Sequence, residues 1–216
     1  MSRTFPAERL DLATIPATTT DLFIHEINKI HIRKLVGLDK LPLENLTLRW
    51  LSAPDLQGIP LPPGLQTLTI WHSPKLKSLA GVEKATKLKE LHLRENGQLE
   101  HAKALASLDS LRVFSLEGGY GAPQKVISLK PLLGLKLESI KMVNVAVGDG
   151  DATPLAQMKS LQNIDIFPKT FPPDVLAKLC LAHPEYFKRV MDWPNLESSF
   201  KQSVQHAYEN QERNSK

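Results

Sequence analysis

The sequence predicts an α/β solenoid of about seven units, with a parallel sheet on its concave side, short helical or 3-10 turns on its convex side, and distinct caps at both ends. Three observations carry this reading. The first is a recurring phrase of three apolar residues, the second three positions after the first and the third two further on. It reads Ile27-Ile30-Ile32, Leu43-Leu46-Leu48, Leu65-Leu68-Ile70, Leu88-Leu91-Leu93, Leu111-Phe114-Leu116, Leu137-Ile140-Met142 and Leu161-Ile164-Ile166. The second is the spacing: intervals of 16, 22, 23, 23, 26 and 24 residues separate successive phrases, and all but the first match the length of a solenoid unit. The third is another apolar phrase between the strands, with residues three apart: Leu35-Leu38-Leu41, Leu79-Val82-Ala85, Leu105-Leu108, Leu129-Leu132-Leu135 and Leu155-Met158. Spacings of three suit 3-10 or single helical turns on the return path.

The N-terminal element, residues 1–26, is expected to be a hairpin-like cap. Leu22, Phe23 and Ile24 lie too near the phrase at Ile27 to form a full unit before it. Residues 27–170 form the solenoid. In each strand, positions 4 and 6 of the phrase point inward while positions 3, 5 and 7 face the opposite side. A single strand cannot bury its apolar edge, so stacked units join their clusters into one core. Residues 171–216 form a helical cap and tail. Pro172-Pro173-Asp174 announces a helix through Val175, Leu176, Leu179 and Cys180, with Asp174 as its cap. That helix is expected to seal the last strand; a second helix is expected from Asn195, its Leu196, Phe200, Val204 and Ala207 on one stripe that forms a second layer of the cap or, alternatively, a docking helix for a partner, with Gln211 to Lys216 fraying.

The phrases resemble the leucine-rich repeat family in its small, free-standing intracellular form, over roughly Ile27 to Ile166. That family's asparagine, nine residues into a unit, is matched by Asn96; Ser73 and Gly119 take that place in two other units. The resemblance implies a non-enzymatic scaffold that recognises a protein partner, and by analogy an inhibitor or immunity-type protein.

Composition bounds the alternatives. With 42% hydrophobic and 23% charged residues among 216, the chain has the makings of a packed core rather than of disorder. Its net charge of +4 is permissive for nucleic acid without demanding it. No apolar run approaches the roughly 18 residues of a membrane span, and Met1 to Leu12 lacks signal-peptide character, so a cytoplasmic location is expected. Cys180 stands alone, which rules out an intrachain disulfide.

Motifs that suggest catalysis lose on context. Asp149-Gly150-Asp151-Ala152-Thr153 resembles the first motif of the haloacid-dehalogenase phosphatases, but the repeat runs straight through it, and a solvated turn accounts for it. Gly118-Gly119-Tyr120-Gly121 is followed by no Lys-Ser/Thr pair and helix, so it reads as a lengthened loop. The seven histidines include no His-Glu-x-x-His helix, and His31 and His92 lie three units apart; no metal or other cofactor is implied. Leu61-Pro62-Pro63-Gly64-Leu65-Gln66-Thr67-Leu68 resembles one unit of the bacterial effector ubiquitin ligases. However, Cys180 is followed by Leu181-Ala182 instead of that family's acidic residue, and reads as a buried structural thiol.

The candidate site is therefore the face that the strands present. Position 7 of the seven phrases gives Arg33, Arg49, Trp71, Arg94, Glu117, Val143 and Phe167; position 5 gives His31, Thr47, Thr69, His92, Ser115, Lys141 and Asp165. Equivalent positions stack about 4.8 Å apart. The N-terminal half is basic and aromatic, flanked by Lys29, Trp50 and His72, and the other half is mixed or acidic. Arg and Trp combine large contact area with directed donors. The expected partner is a folded protein with an acidic patch, and the alternative is RNA or another polyanion, since the same side chains stack on bases.

Overall fold

The computed structural model describes residues 2–214. Ten strands and four helices follow in order: β1 (Ser2–Pro6), β2 (Asp21–His25), β3 (Asn45–Arg49), β4 (Thr67–Trp71), β5 (Glu90–Arg94), β6 (Val113–Glu117), β7 (Gln124–Val126), β8 (Ser139–Val143), β9 (Val145–Val147), α1 (Thr153–Ala156), β10 (Asn163–Ile166), α2 (Pro173–Ala182), α3 (Pro184–Met191) and α4 (Ser198–Asn214). Eight of the strands form one parallel sheet in the order β1-β2-β3-β4-β5-β6-β8-β10, and β7 pairs with β9 in a small parallel ribbon beside it. The register is unbroken: Leu22, Leu46, Leu68, Leu91, Phe114, Ile140 and Ile164 align, as do Ile24, Leu48, Ile70, Leu93, Leu116, Met142 and Ile166. All of these side chains are buried in one core. Burying each stabilises the fold by roughly 1.5–3 kcal/mol relative to leaving it in water.

The return segments are short. Turns of 3-10 type span His31–Leu35, Leu38–Lys40, Val82–Lys84, Lys103–Ser107 and Lys130–Leu132, and α1 is a single helical turn. Their leucines at spacings of three enter the core from the convex side.

The N-terminal region differs from the expected hairpin-like cap. β1 and β2 are parallel to each other and to β3, so they extend the sheet. The phrase at Ile27-Ile30-Ile32 is not a strand: Ile30 is 76% exposed, and Ile32 lies in a 3-10 turn. The true unit is Thr19-Leu22-Ile24, 24 residues before Leu43-Leu46-Leu48, with Thr19 buried at the position leucine usually holds. One polar residue at the head of the phrase was enough to hide it.

Three helices cover the other end. Pro172 is the N-cap residue of α2, with Asp174 inside the first turn, where its charge favours the helix dipole. α3 was not expected. It supplies Tyr186 Oη, which donates to Ile166 O at 2.8 Å, and Arg189 Nη1, which donates to Ile164 O at 2.8 Å. These bonds satisfy carbonyls on the last strand's open edge and block further pairing there. α4 begins at Ser198 rather than Asn195 and continues through Gln211, whose amide donates to Asp174 O, to Asn214; Ser215 and Lys216 lie outside the described residues. Its Val204 is buried, and Tyr208 stacks on Phe187 with ring centres 4.1 Å apart. Deletion of everything after Pro194 is expected to lower the melting temperature by several degrees in calorimetry, because it exposes this apolar layer. An unchanged melting temperature with lost partner binding would make α4 a docking element instead.

Candidate functional site

Five strands of the main sheet, β2 to β5 and β8, end in a turn that shapes the site. Position 7 faces outward, position 8 adopts a left-handed backbone, and position 9 dives back into the core. The left-handed residues are Glu26 (φ 60), Trp50 (φ 55), His72 (φ 54), Glu95 (φ 51) and Asn144 (φ 51). The amides of Glu26, Trp50, His72 and Glu95 still extend the ladder: Trp50 N donates to Trp71 O at 3.0 Å and His72 N to Arg94 O at 2.9 Å. The chain must then reverse within one residue so that Ile27, Leu51 and Ser73 become buried. Bulky residues are uncommon in this conformation. Here it sets Trp50 and His72 beside the outward row instead of in line with it.

A polar ladder fixes these turns from below. Leu51 N donates to Ser73 Oγ at 3.0 Å, Ser73 N to Asn96 Oδ1 at 3.1 Å, and Asn96 N to Gln124 Oε1 at 2.9 Å. Asn96 Nδ2 reaches Ile70 O and Gln124 Nε2 reaches Gly97 O, at 2.9 and 2.7 Å. Gln124, almost fully buried, takes the rung that sequence spacing assigned to Gly119. The glycine-rich stretch before it is an outward loop, held by Asn144 Nδ2 donating to Gly119 O at 2.6 Å, with Tyr120 fully exposed in its middle.

On this frame the outward row reads His25, Arg49, Trp71, Arg94, Glu117, Val143 and then Phe167. His25 replaces Arg33, which sits exposed in the 3-10 turn His31–Leu35, away from the sheet. His31 is displaced with it, its Nδ1 within 2.9 Å of Glu26 O; Phe23 holds its place in the position-5 row beside Thr47. The remaining expected residues come together in two groups.

The first group is built around Arg49. Its guanidinium carbon lies 4.1 Å from the centre of Trp50 and 4.2 Å from that of Trp71, so it is held between two indoles. Arg94 approaches Trp71 at 5.4 Å from the next strand. His25 and His72 meet Trp50 edge-on at 6.3 and 6.5 Å. Among the described residues Arg49 has no ion-pair partner and no side-chain hydrogen bond. His25 Nδ1, Arg49 Nε and Trp71 Nε1 are all sealed from water without a hydrogen-bond partner. A buried polar group left so typically costs about 1–3 kcal/mol.

The second group is neutralised. Glu117 accepts from Lys141 Nζ at 3.2 Å and from Ser115 Oγ at 3.1 Å, and lies 3.7 Å from Arg94 Nε. Burial pushes its carboxyl upward, but the Lys141, Arg94 and Ser115 contacts outweigh that and hold it below the usual carboxylate value. His72 pairs with Glu95 at 2.7 Å and His92 with Glu90 at 3.2 Å. Farther along, Val143 and Phe167 are exposed apolar residues, with Trp193 edge-on to Phe167 at 6.0 Å.

No family model matches the chain, and no curated protein matches it in sequence. Among solved structures, an internalin from Listeria monocytogenes is similar, with a TM-score of 0.54 and 23% identity. The match covers 76% of this chain and 46% of the internalin, so the chain spans less than half the length of that protein. The fold is a leucine-rich repeat solenoid.

In this leucine-rich repeat framework the motifs set aside as structural have local roles. Asp149 Oδ1 accepts from Asp151 N and Asp151 Oδ1 from Thr153 N, so both aspartates shape the turn into α1. The Cys180 thiol is buried and pushed up to about 12 by desolvation, which withholds the reactive thiolate. No group of three His, Cys, Asp or Glu side chains that could hold a metal ion forms among the described residues, and no described helix is long and apolar enough to cross a membrane. Two contributors escaped the sequence pattern. His25 could have been found by stepping 24 residues back from Arg49; Gln124 had no signal, because an inserted loop displaced it from the repeat register.

Proposed function

We propose that the protein is a non-enzymatic binding scaffold, possessing on the N-terminal half of its concave face a surface for a folded protein partner with an acidic patch. The observation that carries this reading is the Arg49 guanidinium, stacked between Trp50 and Trp71 and without an acidic neighbour among the described residues. Elsewhere on the face, Arg94 and Lys141 already share Glu117. Arg49 therefore supplies the uncompensated charge, and the indoles around it supply contact area that holds a partner after encounter.

The same geometry favours a protein over RNA. Base stacking needs an open aromatic face. Trp71 has a guanidinium from each neighbouring strand against it, and Trp50 has Arg49 on one face and histidine edges beside it. An inhibitor-like or immunity-type role, in which the scaffold masks an acidic surface of its target, is the finer form of this proposal.

The test is a binding assay by surface plasmon resonance with the partner recovered from lysate before and after nuclease treatment. Arg49→Glu is expected to slow association by about tenfold or more at low salt. Arg94→Gln is expected to do less, since its charge is already shared, and Lys84→Glu or Lys103→Glu on the convex side should leave the kinetics unchanged. Loss of capture after nuclease, with a steep fall in affinity between low and moderate salt, would replace the protein partner by a polyanion.

A further inference from the structure

The three sealed nitrogens of the Arg49 group lie on consecutive strands in one row: His25 pairs with Arg49 across β2 and β3, and Arg49 with Trp71 across β3 and β4. Neighbours in such a row stand about 4.8 Å apart, so a carboxylate seated on the middle residue can turn one oxygen toward each flanking strand and accept a hydrogen bond from it. No acidic side chain of the described chain fills this place. Glu26 Oε1 lies 3.7 Å from His25 Nδ1, beyond hydrogen-bond reach. Arg49 is kept in position by ring contacts alone, so its planar fork is oriented but not tethered.

We propose that His25, Arg49 and Trp71 form a slot for a single carboxylate, an aspartate or glutamate side chain of the protein partner. This rests on the concave-face reading above and adds its central contact. The incoming carboxylate meets the Arg49 guanidinium from the solvent side, parts its edge from the Trp50 ring, and settles side-on against Nε and one Nη. Trp71 Nε1–H donates to the oxygen nearer β4, and His25 Nδ1, when it carries the proton, donates to the oxygen nearer β2. The indoles of Trp50 and Trp71 then wall the ion pair from water, where charge-assisted hydrogen bonds are strongest. A lysine at position 49 would offer a point charge without the fork, and a phosphate, with its extra oxygens, would leave acceptors facing the ring walls.

The experiment uses the full chain and a capped hexaglutamate peptide, followed by NMR of the indole Nε1–H and arginine Nε–H signals. The Trp71 and Arg49 signals are expected to shift together and saturate, while the Trp193 indole, packed on Phe167 at the far end, stays in place. Trp71→Phe, which keeps a ring but removes the donor, and Arg49→Lys, which keeps the charge but removes the fork, are each expected to weaken the peptide about tenfold, with melting temperature little changed. Arg94→Lys should change affinity by less than about twofold, because Glu117 already occupies Arg94. Wild-type affinity in Arg49→Lys would overturn the slot. So would inorganic phosphate or a uridine oligonucleotide producing the same shifts at lower concentration than the peptide. Shifts confined to Arg94 and Lys141 would remove the slot but leave the concave-face reading standing; no shift anywhere on the concave face would remove both.

Discussion

Leu91→Ala and Leu93→Ala are each expected to lower stability by about 2–5 kcal/mol in denaturant melts, while His92→Ala between them changes it by about 0.5 kcal/mol or less. Both leucines are fully buried on β5, in the middle of the sheet, where they touch the inward rows of β4 and β6. Truncation removes their burial and leaves a cavity that a stacked core cannot close by moving one strand, because the ladder ties each strand to two neighbours. His92 faces outward and is held by Glu90 at 3.2 Å, an exposed pair of the kind that contributes little. Equal, small losses at all three positions would mean that β5 is not in this register. The contrast across three adjacent residues makes the measurement sensitive to orientation instead of overall fragility.

Trp71→Ala is expected to weaken partner binding by about 2 kcal/mol or more, with a stability loss of about 1 kcal/mol or less. Its indole stands on the outward side of β4 and, among the described residues, is the one ring that contacts both Arg49 and Arg94. Removing it strips the stacking surface from both guanidiniums, so their forks lose the orientation that directed ion pairing requires. The cost to the fold is small for two reasons. Its cation–π contacts lie near the surface, where each is worth about 0.5–1 kcal/mol, and its own Nε1–H, sealed without a partner, offsets part of what the ring contributes. Isothermal titration of partner binding beside a thermal melt separates the two quantities. Wild-type affinity in Trp71→Ala would place the binding surface elsewhere on the molecule.

Much of this was legible in the residue pattern because a stacked solenoid repeats one local problem. Six of the seven phrases mark strands of the sheet, and the row Arg49, Trp71, Arg94, Glu117, Val143, Phe167 follows from them by counting. Where a unit departs from its neighbours, counting fails. Thr19 in place of leucine moved the first phrase onto a 3-10 turn and put Arg33 where His25 belongs. The six-residue loop from Gly118 to Pro123 hid Gln124, whose buried amide completes the ladder that Asn96 alone announced.

By itself the sequence determined the parallel stack, its inward rows and the basic, aromatic character of half the outward face. Those depend on the alternation of a strand and on burial, which act within each unit. Only the tertiary structure decided which charges on that face remain free. Glu117 reaches Arg94 and Lys141 from the strand between them, and two left-handed turns swing Trp50 and His72 alongside the row, leaving Arg49 stacked but unpaired. Such pairings join side chains more than twenty residues apart through a sheet register that no single unit contains. Electrostatic contacts of a few ångströms are set by that register, whereas the hydrophobic pattern tolerates being read one unit at a time.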